Sequence, residues 1–95
     1  METLKGKNIL IIGATGGIGS QTAKLLKGSG ANLFLTGRNE ERLKQVADEC
    51  NVSAENTFAL DISNAEEVNR LKEKYFQQMP AIDILINAAD RKSVV

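Results

Sequence analysis

Histidine and tryptophan are missing from this chain, and cysteine and proline each occur once. Without histidine there is no imidazole to act as a general base near neutral pH or as a metal ligand. The single cysteine, Cys50, excludes an internal disulfide and a cysteine cluster for zinc; no bound metal is expected, and a reducing, cytoplasmic location is. Charge of one sign is lacking too. The 12 Lys and Arg stand against 12 Asp and Glu, which leaves no overall field to draw nucleic acid or an anionic membrane surface. No apolar run approaches the ~18 residues of a membrane span, and the opening residues Met1 to Asn8 lack the apolar core of a signal peptide. Neither nucleic acid nor a membrane is an expected partner, and the chain should be soluble. Residues 1–95 are expected to form one domain of modest stability, because a chain this short hides only about 60 to 65% of its unfolded surface on folding.

What is present is concentrated in one stretch. Ile9, Leu10, Ile11 and Ile12 form a continuous apolar run rich in β-branched residues, as expected of a strand buried on both faces of a parallel sheet. Gly13, Gly16, Gly17 and Gly19 follow at once, and Ile18, Thr22, Leu25 and Leu26 recur at helical spacing. The glycines therefore fall between a strand and the N-terminus of an amphipathic helix. The first turn of a helix has N–H groups without intrahelical partners and a positive partial charge. Glycine lets a diphosphate approach closely enough to use both. The spacing is not that of a Walker loop, since Ile18 stands five residues after Gly13 with no lysine beside it. It is also not Gly-x-Gly-x-x-Gly, because Thr22 stands third after Gly19. The alternative is a tight turn that holds no ligand.

The rest of the chain repeats the strand-helix pattern. Gly28-Ser29-Gly30 closes the first helix, and a second strand is expected over 31–36. Asn39 caps a second helix with Glu40 and Glu41 in its first turn, and Leu43, Val46, Ala47 and Cys50 form its inner face. A short third strand covers 57–60. Ser63 or Asn64 caps a third helix whose inner face is Ala65, Val68, Leu71, Tyr75 and Met79, and Pro80 stops it before a fourth strand at 83–87. Cys50 and Tyr75 are expected in the core. Alternation of this kind predicts right-handed crossovers and an α/β fold: a three-layer, doubly wound parallel sheet, β-α-β-α-β-α-β, with strand order 3-2-1-4. The glycine loop, Arg38, Asp61 and Asn87 then converge outside the carboxyl ends of the strands.

Gly13-x-x-x-Gly17-x-Gly19 resembles the glycine motif of the short-chain dehydrogenase/reductase family, Thr-Gly-x-x-x-Gly-Ile-Gly, with Ile12 in place of the threonine. Asp61-Ile62-Ser63 resembles the family's Asp-Val/Leu-Ser/Thr. Asn87-Ala88-Ala89-Asp90 resembles its Asn-Asn-Ala-Gly, with Ala88 replacing the second asparagine and Asp90 the glycine. The resemblance runs from about Gly6 to Ala89 and covers the first half of a family domain. It implies a Rossmann-type domain and a dinucleotide cofactor. Cofactor contacts are implied at Gly13, Thr15, Gly17, Ile18 and Gly19 in the loop, and at Arg38, Asp61, Ile62, Asn87 and Ala88 along the rim. Asp61 would lie near the adenine amino group, and the Asn87 segment would border the nicotinamide ribose.

Arg38 bears on the type of cofactor. A ribose with free hydroxyls is usually held by a carboxylate at this point, whereas a 2′-phosphate needs a cation. Thr36 and Gly37 supply no carboxylate and Arg38 supplies a two-pronged donor. NADP is expected ahead of NAD, and Thr36-Gly37-Arg38-Asn39 resembles the NADP-preferring members. Those members often carry Lys or Arg just before the second glycine, where this chain has Gly16. The other readings are an Arg38 that is solvated at the surface or paired there with Glu41, an Asp61 that with Ser63 only caps the third helix, and an Asn87 that is a structural tie at a buried strand end. Asp90 would bring negative charge toward the cofactor.

Family members carry a catalytic serine and a Tyr-x-x-x-Lys pair beyond the fourth strand. Here the only tyrosine is Tyr75, and Met79 stands in the lysine's place, so no catalytic residue is expected. The expectation is the NADP(H)-binding half of a carbonyl-reducing or alcohol-oxidising enzyme, present as a truncated or split product and inactive alone. The alternatives are a non-catalytic dinucleotide-binding or protein-interaction module, and a nonfunctional fragment. The fourth strand, with Ile82, Ile84, Leu85 and Ile86, would offer an unpaired apolar edge to a second copy or to a C-terminal half.

Overall fold

The apolar run at 9–12 becomes an inner strand of a four-stranded parallel sheet in the computed structural model, which describes residues 2–89. The strands are β1 (Asn8–Ile12), β2 (Asn32–Gly37), β3 (Thr57–Ala59) and β4 (Ile84–Asn87), and the helices between them are α1 (Gly17–Leu26), α2 (Glu40–Glu49) and α3 (Ala65–Gln78). Short 3-10 turns occupy Glu2–Leu4 and Ala54–Asn56. The order across the sheet is β3-β2-β1-β4, with every pairing parallel. Leu10 stands opposite Phe34 on one side and Leu85 on the other.

Alternation along the strands divides the core in two. Ile9, Ile11, Leu33 and Leu35 face α1 and α2, where they meet Ala23, Leu43, Val46, Ala47 and Cys50. Leu10 and Phe34 face α3, where they meet Leu60, Leu71, Tyr75 and Met79. The result is the expected three layers. Burial pushes the Cys50 thiol above its ordinary pKa, with Glu49 adding to the effect, as suits a small core residue.

Two faces differ from the sequence pattern. In α1 the buried residues are Gly19, Ser20 and Ala23, while Ile18 and Leu25 are 76% and 78% exposed. The backbone of this helix lies so close to the glycine loop that only small residues fit beneath it, and the larger apolar ones turn outward. Only Leu26 of the expected stripe packs against the core. In α3, Ala65 is exposed, and the inner face begins with the half-buried Val68.

The helix ends follow local chemistry. The Asn39 side chain accepts from the Arg42 amide at 3.0 Å, and the Asn64 side chain accepts from the Glu66 and Glu67 amides at 3.0 and 3.2 Å. Of the two candidates for the third cap, Asn64 is the one used. At the other end of α3, Met79 donates back to the Tyr75 carbonyl at 2.8 Å and Pro80 follows.

The return to β4 is fixed by two side chains. The Tyr75 hydroxyl donates to the Ala81 carbonyl at 2.6 Å, and its ring meets Phe34 edge-on at 5.2 Å between centroids. Asp83 exchanges two hydrogen bonds with Asn8: its carboxylate accepts from the Asn8 amide at 2.8 Å and its own amide donates to the Asn8 carbonyl at 2.9 Å. Tyr75 is thus a core and connection residue. Tyr75→Phe keeps the ring packing and leaves the Ala81 carbonyl short of a donor. We expect a loss of about 1 kcal/mol in urea unfolding with no change in ligand binding at the opposite end of the sheet. An effect on binding would show that Tyr75 does more than hold the fold.

Candidate functional site

Gly13 leaves β1 with φ +80°, a left-handed conformation that side chains rarely adopt. A Cβ at Gly13 would sit 2.6 Å from the Ala89 nitrogen and 2.7 Å from its Cα, so the loop lies directly on the backbone that follows β4. A Cβ at Gly19 would run into the Gly13 carbonyl oxygen. Gly17 differs: a Cβ there would meet no protein atom within 4 Å. Two of the glycines are therefore required by packing alone, and Gly17 faces open space at the helix mouth. The Ala14 amide donates to the Thr36 carbonyl at 2.7 Å and ties the loop to the end of β2.

The α1 N-terminus lacks the devices used elsewhere in this chain. Gly16 occupies the cap position with no side-chain hydrogen bond, and no acidic residue lies in the first turn. In contrast, α2 and α3 each have an asparagine cap and two glutamates there. The first amides of α1 and the positive end of its dipole are left for an anion from outside the chain.

Beside this mouth lies a crevice of about 210 Å³, walled by the glycine loop, Thr36, Gly37 and Arg38 at the end of β2, Leu60 and Ile62 after β3, and Ala88 and Ala89 after β4. A larger hollow of about 500 Å³ lies between α2 and β3, lined by Leu43, Ala47, Phe58 and Lys74 among others. The Lys74 ammonium in its wall is committed to the Thr57 carbonyl at 2.6 Å, so the smaller crevice is the better site. One polar atom marks it. The Thr36 hydroxyl is fully buried and has no hydrogen-bond partner among the described residues. A buried hydroxyl left unpaired costs about 1 to 3 kcal/mol.

The rim residues are brought together as the strand order requires, with partners of their own. Arg38 Nη2 lies 3.6 Å from Asp61 Oδ2, and not on Glu41; the two side chains are 74% and 44% exposed. The other Asp61 oxygen accepts from the Ser63 hydroxyl at 2.7 Å and the Ser63 amide at 3.0 Å. These two bonds, with a smaller part from Arg38, hold the Asp61 carboxyl below its ordinary pKa. Asp61 shapes the turn before α3, while the helix cap itself is Asn64. Asn87 is exposed, not buried; its side-chain oxygen accepts from the Ala89 amide at 3.1 Å. The Ala88 amide donates to the Ile12 carbonyl at 2.8 Å and extends the ladder past β4. Ile18 projects from the first turn of α1, and Ile62 lines the crevice. Asp90 lies outside the described residues.

Thr15 settles what position 37 can hold. Its side chain fills the space over Gly37, where a Cβ would lie 2.5 Å from Thr15 Cγ2 and 2.9 Å from Oγ1. Neither a ribose-binding carboxylate nor any other side chain fits there without moving Thr15. Two residues carried no role in the sequence reading. Thr36 reads as one more strand residue, although a hydroxyl ending an apolar strand was a usable signal. Arg42 reads as an ordinary helix residue, and its Nε approaches the Thr15 carbonyl at 3.5 Å.

The described residues of this crevice offer the backbone of the glycine loop, the Arg38 cation and the apolar side chains of Leu60 and Ile62. Because the Asp61 pKa lies below its unfolded value, its contribution to stability is present above the ordinary carboxylate range and is lost as pH falls through the depressed folded value. Ser63→Ala removes the largest cause of the depression. In an NMR titration of the Asp61 carboxyl carbon it should raise the pKa more than Arg38→Ala does; the reverse order would make the ion pair the main cause.

The short chain dehydrogenase family profile matches residues 7–94. An uncharacterized oxidoreductase of Staphylococcus aureus strain USA300 is 37% identical over 89 residues, covering 94% of this chain and 38% of that protein. Among solved structures, a short chain dehydrogenase from Salmonella enterica serovar Typhi aligns with a TM-score of 0.78 at 33% identity, over 93% of this chain and 38% of that one. Another from Mycobacterium smegmatis gives 0.82 at 29% identity, over 94% and 39%. The chain spans well under half the length of these relatives. With a profile match along nearly all of its length and the glycine loop, strand order and rim in their places, the chain belongs to the short chain dehydrogenase family.

Proposed function

We propose that this chain binds NADP(H) through the α1 glycine mouth and the adjoining crevice, as the cofactor-binding portion of an oxidoreductase that reduces carbonyls or oxidises alcohols. The observation that carries the reading is the uncapped, acid-free N-terminus of α1 opening at Gly17 beside an unpaired, buried Thr36 hydroxyl. The diphosphate would take the first amides of α1, and the adenine would lie against Leu60 and Ile62, near Asp61. Asn87 and Ala88, at the end of β4, would border the nicotinamide ribose. NADP is favoured over NAD because Thr15 crowds Gly37 and Arg38 stands next to it; a 2′-phosphate would draw the Arg38 guanidinium from its exposed, weak pair with Asp61.

The bound nicotinamide would supply or accept the hydride. The role of these residues is to hold and orient it. Tyr75, the only tyrosine, is 1% exposed and bonded to Ala81. We therefore assign the chain the binding step and expect no turnover by the 95 residues alone. A second feature concerns partners. The two sheet edges differ: at β3, Lys74 covers the Thr57 carbonyl and lies over the Phe58 ring at 5.8 Å, whereas β4 has Leu85 56% exposed, with Ile82 before it at 41%. A second copy, or a polypeptide carrying the rest of the family fold, would find an apolar edge there.

Arg38→Ala should weaken NADPH by about 1.5 kcal/mol, the low end for a charged hydrogen bond because the site is exposed, and leave NADH nearly unchanged in calorimetric titration. Equal losses would remove Arg38 from the 2′-phosphate. Gly17→Val should abolish binding of both nucleotides while the melting temperature changes little, since the added side chain meets solvent and not protein. Retained affinity would reduce the loop to a turn.

A further inference from the structure

We infer that Arg42 is a second cation for the 2′-phosphate, reaching the cofactor site from the first turn of α2 and supplying the charge that Gly16 cannot. This inference rests on the NADP reading above. Its starting point is the approach of Arg42 Nε to the Thr15 carbonyl at 3.5 Å, which brings a residue of α2 onto the loop that precedes α1. Arg42 stands three residues after the Asn39 cap, and its own amide is the one that Asn39 holds. Helical side chains lean toward the helix N-terminus, so this stem runs back toward the end of β2 and the glycine loop.

Three observations make the guanidinium available there. With Nε turned to the Thr15 carbonyl, the terminal nitrogens of the fork have no hydrogen-bond partner among the described residues. No carboxylate among the described residues lies within 4.0 Å of them: the ion pairs are Lys24 with Glu49 and Arg38 with Asp61. Of the two glutamates beside it, Glu40 lines the hollow on the far side of α2, and Glu41 is exposed and forms no ion pair among the described residues.

The charge balance at the crevice calls for it. A phosphate monoester carries about −1.5 to −2 at neutral pH, and Arg38 alone is already shared with Asp61. The position between Thr15 and Gly17 is Gly16, which has no side chain to offer. Arg42 comes to the same stretch of loop from the next helix. Thr15 is the link: its side chain closes Gly37 to a carboxylate, and its carbonyl receives the Arg42 stem.

The test titrates NADPH and NADH into the wild-type chain and into Arg42→Ala, Arg42→Gln, Arg42→Lys and Arg38→Ala, with thermal melting as a control for folding. Arg42→Ala and Arg42→Gln should each weaken NADPH about tenfold, the effect of one charge-assisted hydrogen bond, and change NADH less than twofold. Arg42→Lys should recover part of the loss. Adenosine 2′,5′-bisphosphate, which carries the phosphate without the nicotinamide, should show the same tenfold change. Equal losses for NADPH and NADH would make Arg42 a prop for the glycine loop, and no loss for either would make it a solvated surface residue; both overturn the inference. If Arg38→Ala leaves the NADPH to NADH ratio unchanged, or the wild-type chain binds neither, the NADP reading fails first. If Arg38→Ala changes that ratio and neither Arg42→Ala nor Arg42→Gln does, only the role of Arg42 fails.

Discussion

Backbone meets backbone at Gly13, with no room for a side chain on either side. The residue lies on the Ala88–Ala89 segment, and Gly19 rests on the Gly13 carbonyl. This one crowded point joins the end of β1, the start of α1 and the exit from β4. It sets the closeness of α1 to the sheet, and through that the small-residue face of Gly19, Ser20 and Ala23. The left-handed turn at Gly13 also carries the chain from β1 into the loop before α1, where a Cβ at Gly17 would meet open space. Substitution at Gly13 or Gly19 would separate these elements, whereas substitution at Gly17 would only fill the mouth.

The three helices share one sheet and begin in two different ways. Asparagine caps and paired glutamates complete the N-termini of α2 and α3 from within the chain, which removes those termini as anion sites. The α1 terminus is left incomplete. Leaving polar groups unsatisfied is unfavourable in a folded chain of this size, and the Thr36 hydroxyl, without a partner among the described residues, adds to it beside the same crevice. Both deficits lie at the carboxyl edge of the sheet, where the strand order changes direction between β1 and β4.

Stability is spread unevenly over the two faces. The α1 and α2 side is closed by two helices, while α3 alone covers the other, where Phe76 is 53% and Leu85 56% exposed. Tyr75 and Asp83 hold the α3–β4 connection with three short hydrogen bonds. The β4 strand is thereby kept in register with β1 although no strand among the described residues lies on its other side.

The sequence alone determined the order of elements, their parallel pairing, the Asn39 cap and the glycine loop, and it left the third cap between Ser63 and Asn64. These depend on local backbone preference and on the periodicity of apolar residues, both of which can be read within a window of a few residues. The inner face of α1 was not legible, because close packing selected Gly19, Ser20 and Ala23, which carry almost no hydropathy signal, over Ile18 and Leu25. Nor were the pairing of Arg38 with Asp61 and the approach of Arg42 to Thr15. Each joins residues from different strand-helix units, so neither exists until the strands take the order β3-β2-β1-β4. Tertiary structure thus decided which side chains meet at the rim, because proximity there is a property of the assembled sheet.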